Sequence, residues 1–575
     1  MRKQTIKAIV IGMAMLVSFA APSMVGAADL EQRIRSVDPG IMERSIQVRP
    51  ESRPHPMPEI VISRDEAGRL EGAEGVEFEL TGVIFDGNEV FADEELLARV
   101  DQYLGLILQV NQLQQLADHI TAYYHKHGYI LTRAYLPPQT IAGGKVVIAI
   151  TEGRLGAVIV EGNDRYKAEM IRKVMRVVRK QGALTGGSLE RGMLVLNDYP
   201  GLDARATLVR GKVPGTTDIV VQVEEAKWWL VGLDYNNFGS AYVAEHRLGA
   251  NLTLFNPFGI GDYLSLRYMG SANFSDKAGP MWYLRADYNL PLNTHGTRLG
   301  FALSRMHYEV GGPLQVLDLD GTSDLLSTWI SHPFIRTRNF SLWGDAGLDL
   351  KRISSKMFGV KLYEEDMFNA RLGGHTEWLD GLWGRNMADL NVIKGMEDDT
   401  PTSRLWADSK FLKLEGSYRR FQDFPGRFSG LLSLQGQYAT DRVPTAEQFA
   451  IGGATTVRGY GQGDYSGDHG MAGTFELRYL IYTEEMDWQA PSGSRGNFAI
   501  EGVGFLDHGR VWTKDAFAAE LSDARLWGAG VGARFAYSPY AMAKIEWAKA
   551  ISGDRPLSEG TFSRGAWYLL LSLVY

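Results

Sequence analysis

A chain of 575 residues has room for several domains, and its net charge of −8 excludes a general nucleic-acid binder. With 65 glycines, 24 phenylalanines, 25 tyrosines and 13 tryptophans but no cysteine, it cannot be a disulfide scaffold. That glycine- and aromatic-rich composition favours a large β-barrel over a helical membrane protein.

The chain opens with an export signal. Arg2, Lys3 and Lys7 precede the apolar run 8–19, and Pro22 breaks that run before the small-residue site Val25-Gly26-Ala27. Residues 1–27 read as a signal peptide, with an uncleaved anchor helix as the alternative. No later stretch approaches the ~18–20 apolar residues a membrane helix needs. Residues 28–75 follow as a helix and a linker. Asp29 caps a helix whose stripe is Leu30, Ile34 and Val37, and Pro39 is expected to stop it. Pro50, Pro54, Pro56 and Pro58 make an extended tether, so the short helix needs another part of the protein to pack on.

Residues 76–153 predict a small β-α-α-β-β module. Its first strand is placed at Val76–Leu80, with turn chemistry at 84–88, and helices at Asp93–Tyr103 and after Asn111, which forms a capping box with Gln114. Strands 129–136 and 145–152 complete it, separated by Pro137-Pro138-Gln139 and Gly143-Gly144. Residues 154–226 repeat the order, and the two Gly-Asn turns, at Asn88 and Asn163, point to an internal duplication. His125 and His127 are two apart on a helix, so they face different ways and do not form a metal site through that spacing.

From Trp228 onward the period is two. Arg247, Gly249 and Asn251 alternate with Leu248, Ala250 and Leu252; Glu476 and Arg478 alternate with Phe475, Leu477 and Tyr479; Lys544 and Glu546 oppose Ala543, Ile545 and Trp547. One face is apolar and aromatic, the other charged and glycine-rich. In an exported chain this places the apolar face toward lipid in a barrel spanning 227–575, with an even strand count near sixteen. Asp318-Leu-Asp320-Gly321 reads as a hairpin turn rather than a calcium loop, because it lacks the twelfth-position glutamate. Gly528, Gly530 and Gly532 share one strand face and so do not form a dinucleotide loop. The last strand carries Trp567, Leu569, Leu571, Leu573 and Tyr575 on one face, an ending that resembles the assembly signal of bacterial outer-membrane barrels.

Between two patterned strands lies the glycine-rich run 451–465, with Val457-Arg458-Gly459-Tyr460 at its centre. It reads as a hairpin with a cationic tip. The later strand segment Phe505-Leu-Asp507-His-Gly509 directs Asp507 into the lumen, where it can meet a guanidinium through two hydrogen bonds. Spacing alone leaves this pairing open against two unrelated lumenal charges.

These two segments resemble the V-R-G-Y/F and F-x-D-x-G motifs of the outer-membrane insertase and secretion superfamily. The paired modules, Pro137-Pro138-Gln139, Glu152-Gly153 and residues 197–201 resemble the two-partner secretion transporters of the ShlB/FhaC/HecB type. The resemblance implies a sixteen-stranded outer-membrane barrel, with two periplasmic POTRA domains at 76–153 and 154–226. It also implies an inward loop pairing Arg458 with Asp507, and a plug helix at Leu30–Val37 resting in the pore. As function it implies capture and secretion of a partner exoprotein, such as a hemolysin or adhesin, driven by folding outside rather than by nucleotide. It further implies contact with outer-membrane lipids and with the barrel-assembly machinery, no catalytic residues, and no cofactor. A barrel-assembly insertase shares both motifs but does not call for exactly two modules and an N-terminal helix. A passive porin or an outer-membrane enzyme leaves the modules unexplained.

Overall fold

The computed structural model describes residues 27–46, 60–62, 77–176, 184–213, 215–272, 278–396, 403–404, 406–489, 495–517, 520–557 and 565–575. Residues 1–26 of the expected signal peptide and most of the proline-rich linker therefore lie outside the described residues.

Sixteen antiparallel strands close into a barrel. They are β1 (Trp229–Asn236), β2 (Arg247–Phe255), β3 (Tyr263–Ser271), β4 (Met281–Pro291), β5 (Arg298–Glu309), β6 (Leu319–Arg336), β7 (Phe340–Met357) and β8 (Val360–Leu379). The second half comprises β9 (Arg385–Gly395), β10 (Leu412–Asp423), β11 (Phe428–Ala439), β12 (His469–Gln489), β13 (Arg495–Trp512), β14 (Asp523–Ser538), β15 (Ala541–Gly553) and β16 (Ala566–Val574). β1 and β16 close the ring, with Gly232 opposite Val574 and Asn236 opposite Leu570. Every strand is hydrogen-bonded on both sides, which is what hydrocarbon demands of a spanning sheet.

Side-chain alternation sets the orientation. Leu248, Tyr268, Phe475, Leu477, Tyr479, Val531 and Trp567 are exposed on the outer wall, while Arg247, Glu476, Arg478 and Arg534 are buried inside. A soluble sandwich would reverse this; a lipid-facing barrel requires it. Asp320 and Gly321 are not a turn. They lie in β6, and the connection is the 3₁₀ segment Gly312–Leu317 closed by Asp318 in the left-handed region.

The N-terminal segment lies inside the barrel as two helices, α1 (Ala27–Ser36) and α2 (Pro39–Ile46). α1 ends at Ser36, before Pro39 as expected, and Pro39 also opens a second helix: proline's fixed φ and missing N–H suit a first helical turn. α2 packs beside β4, β5 and β6 in a cluster that includes Val37, Met42, Ile46, Met269, Met306 and Leu314. Within the linker, Ile60–Ile62 forms a short strand parallel to Ala206–Leu208 of the second module, adding an edge to its sheet.

Both modules are built on the same turn. In the first, Gly87 and Asn88 leave the strand Gly82–Asp86, and Asn88 Nδ2 donates to the Phe91 carbonyl at 3.0 Å. Glu152, ending the last strand, accepts from the Glu89 and Val90 amides and the Tyr124 hydroxyl, each at 2.8 Å. In the second, Asn163 Nδ2 donates to the Tyr166 carbonyl at 2.9 Å, and Glu225 accepts from the amides of Asp164, Arg165 and Tyr166. Gly87 and Gly162 share φ near +89° and +82°, where a side chain would be strained. Burial, and then the bond to Glu152, raises the Tyr124 phenol above its ordinary range. The first strand of the core sheet is thus Gly82–Asp86, read from sequence as turn; Glu77–Glu79 pairs separately with Ile107–Gln109. The capping box of the long helix Val110–Lys126 uses Gln109 and Gln112, two residues earlier than expected.

The second module is bolted to the barrel floor. Arg336, at the end of β6, holds Asp198 through two hydrogen bonds of 2.7 and 3.1 Å, and Arg165 donates to the carbonyls of Phe255 and Asn256. Tyr199 packs so close to Gly261 that a methyl group there would lie 2.3 Å from its ring.

Glu152→Ala strands two backbone amides and a buried phenol, and should destabilise the first module by about 2–3 kcal/mol. Urea unfolding of the two N-terminal modules followed by near-UV circular dichroism measures this, and a loss below about 0.5 kcal/mol would place the turn's stability elsewhere.

Candidate functional site

The connection between β11 and β12 folds back into the lumen. Its stem is a two-stranded ladder, Phe449–Ile451 against Tyr465–Gly467, and its tip carries Val457 to Tyr460. The tip is buried: Val457, Arg458 and Tyr460 expose 3% of their surface or less.

Arg458 uses its whole donor fork. Nε and Nη2 donate to the two carboxylate oxygens of Asp507 on β13, each at 2.8 Å, and the Arg458 amide donates to Asp507 Oδ2 at 3.0 Å. Nη1 donates to Glu476 Oε1 on β12 at 3.0 Å and to Glu546 Oε2 on β15 at 2.9 Å. The guanidinium carbon stands 3.4 Å from the centre of the Phe505 ring, stacking charge on an aromatic face. Burial by itself would lower the Arg458 pKa, but the bonds and charges of Asp507, Glu546 and Glu476 outweigh it and raise it.

The wall is shaped to admit the tip. Phe505, Asp507 and Gly509 share one face of β13: the first stacks, the second pairs, and the third leaves space, since a methyl on Gly509 would lie 2.7 Å from Val457 Cγ2. On β14, a methyl on Gly528 would come within 1.9 Å of the Arg458 carbonyl. Of the glycine stripe of that strand, Gly528 makes room for the hairpin, while Gly530 and Gly532 lie against Phe505, Trp547 and Glu546. Gly459 has φ of +96° and donates its amide to the Tyr568 hydroxyl at 2.9 Å; Tyr460 donates its hydroxyl to the Ser552 carbonyl at 2.9 Å.

The structure thus brings Val457, Arg458, Gly459 and Tyr460 together with Phe505, Asp507 and Gly509. It adds Glu476 and Glu546, which period two puts on the lumenal face but which nothing in the sequence pairs with the loop. These acids are shared: Glu476 also binds Arg478 and Arg534, each at 2.8 Å, and Lys544 lies 3.0 Å from Glu546. Of the helical stripe, Val37 is buried and Ile34 half-buried against the lumenal cluster, while of Leu30 only the backbone is described. Trp567, Leu571, Leu573 and Tyr575 are exposed on the outer wall and Leu569, on the same face of β16, is half-buried. His125 Nε2 bonds the Thr132 carbonyl at 2.9 Å and His127 Nδ1 the Tyr123 carbonyl at 2.8 Å, both local contacts of their helix end.

The model of the haemolysin secretion/activation proteins ShlB/FhaC/HecB matches residues 215–535, and that of the ShlB-type POTRA domain matches residues 78–153. Among similar proteins, the heme/hemopexin transporter protein HuxB of Haemophilus influenzae is 26% identical over 71% of this chain and 73% of its own length. The outer membrane transporter CdiB of Dickeya dadantii is 24% identical over 79% of this chain and 80% of its own. In fold, the chain is similar to CdiB from Escherichia coli, with a TM-score of 0.72 at 20% identity, covering 96% of this chain and 100% of that one.

Gly528→Val should expel the tip while leaving the barrel closed, at a cost of about 1–3 kcal/mol or more for overpacking. Limited proteolysis of the embedded protein should then cut within 452–464, where the parent resists; equal resistance would mean that the space at Gly528 does not hold the hairpin.

Proposed function

The chain belongs to the haemolysin secretion/activation family ShlB/FhaC/HecB and lies in the outer membrane with its POTRA domains in the periplasm; from that premise we propose that it exports one partner exoprotein through the barrel lumen. The observation that carries this reading is the buried Arg458 hairpin. The hairpin is folded into the lumen and fastened there by three carboxylates, and with α1 and α2 beside it the resting passage is obstructed from within. That suits a polypeptide conduit, because the resting pore must be closed and must open for cargo.

The steps follow from what each part can do. The exoprotein arrives extended and unfolded, and the POTRA sheets offer it backbone edges. Strand addition satisfies main-chain groups and asks little of side chains, which suits an unfolded client. The strand Ile60–Ile62 already covers one such edge, the one at Ala206–Leu208, so cargo arriving there would compete with the linker and pull on the lumenal helices. α1 and α2, with the stripe of Leu30, Ile34 and Val37, act as the plug. The clamp of Arg336 on Asp198 keeps the second module over the barrel mouth while cargo is handed on.

No nucleotide is consumed in this scheme, and none of the steps is catalytic; folding of the exported chain outside supplies direction. Relatives are named for heme/hemopexin and for hemolysin transport, so the cargo is a secreted protein of that kind.

Arg458→Ala leaves Asp507, Glu476 and Glu546 facing one another without their shared cation, a loss of about 3–5 kcal/mol in loop docking. An assembled, heat-modifiable barrel that secretes at least about tenfold less partner into the medium is the expected result. Undiminished export would remove the loop from the transport step.

A further inference from the structure

The loop that carries Arg458 is gripped at a second place, with the charges reversed. Glu447 lies in the 3₁₀ turn Thr445–Glu447, near the start of the loop, and exposes 1% of its surface. Its Oε1 is 2.6 Å from Lys351 Nζ on β7 and accepts from Asn369 Nδ2 on β8 at 3.1 Å. Its Oε2 is 2.6 Å from Lys413 Nζ on β10, and its own carbonyl accepts from Gln437 Nε2 on β11 at 2.8 Å. At the tip a cation on the loop is held by acids of β12, β13 and β15. At the base an acid on the loop is held by cations on a different arc of the wall. The loop is a strap fastened at both ends across the lumen.

The base turn is also where α2 sits. A methyl group on Gly40 would lie 2.3 Å from Ala446 Cβ, so helix and turn are in close backbone contact. The Arg44 guanidinium donates to the Gln448 carbonyl, one residue past Glu447. On its other sides α2 is held by hydroxyls: Ser304 and Ser323 each donate to Glu43 at 2.7 Å, and Tyr363 donates to Asp38 at 2.7 Å. The turn is thus one wall of the helix's seat, and Glu447 is what fixes that turn to the barrel.

We propose that Glu447 is a positioning residue that sets the seat of the plug, so that the Glu447–Lys351–Lys413 cluster governs whether the pore is closed while Arg458 governs the loop tip. The proposal rests on the reading of α1 and α2 as a pore plug. Its physical cause is simple. Without the carboxylate, the half-buried Lys351 ammonium loses its 2.6 Å ion pair and the buried Lys413 ammonium keeps only Glu415 at 2.7 Å, so two cations flank the turn with one acid fewer and the turn shifts to admit water between them. The shift removes the surface against which Gly40 and Arg44 pack.

Single-channel recording in planar bilayers tests this with the full-length protein. Glu447→Gln, which keeps size and the bond from Asn369, should raise the open-to-plugged ratio about tenfold. Adding Lys351→Met and Lys413→Met removes the excess positive charge beside the turn and should return the ratio toward that of the parent, which a general loosening of the fold would not do. Deleting residues 29–58 should open the pore by itself, and Glu447→Gln should add nothing to that deletion. If the deletion opens the pore and Glu447→Gln does not, the seat is not set by Glu447, and the proposal falls while the plug remains. If neither changes the recordings, the plug reading fails and the proposal with it.

Discussion

A guanidinium cut off from water and shared among three carboxylates is the constraint on which the arrangement inside this barrel depends. Burying Arg458 is expensive, and its return is the choice of one geometry rather than net stability. Both Asp507 oxygens are used by Nε and Nη2, and Nη1 is divided between Glu476 and Glu546. A lysine could not reproduce that fork, because an ammonium is a point charge without a plane. The surrounding glycines then make sense as absences: Gly509 and Gly528 leave the space that Val457 and the Arg458 carbonyl fill.

Around that lock the other parts are arranged as layers of closure. The loop base is tied down by Glu447, the helix pair rests on the loop base, and the linker beyond it reaches the edge of the second module through Ile60–Ile62. The periplasmic modules are thereby connected to the lumenal hairpin by chain as well as by contact.

Much of this was legible in the sequence because membrane barrels are patterned by a simple rule. Apolar residues alternate with polar ones along each strand, and in an exported chain that alternation assigns Leu248 outward and Arg247 inward; it bounds the strand number only to an even count near sixteen, and the closed ring has sixteen. It also directs Asp507 to the lumen. What it cannot give is the third dimension of the site: Glu476, Glu546 and Asp507 sit on three strands, and their convergence on one guanidinium depends on register. The glycines of β14 were recognisable as a strand face, but not Gly528 as the place where the hairpin enters. Local rules failed where tertiary contact decides. Gly82–Asp86 is a strand because Lys145–Ala149 pairs with it, although its residues run into turn chemistry.

Arg458 holds the loop tip against the inner wall, and a disulfide reports this directly. The chain has no cysteine, so Val457→Cys with Gly509→Cys introduces a single pair at the point where a methyl on Gly509 would lie 2.7 Å from Val457 Cγ2. Oxidation of intact cells should cross-link this pair nearly completely, and the same pair combined with Arg458→Ala should cross-link weakly. Equal cross-linking with and without Arg458 would contradict the account, because the tip would then be held by something other than its buried ion pairs.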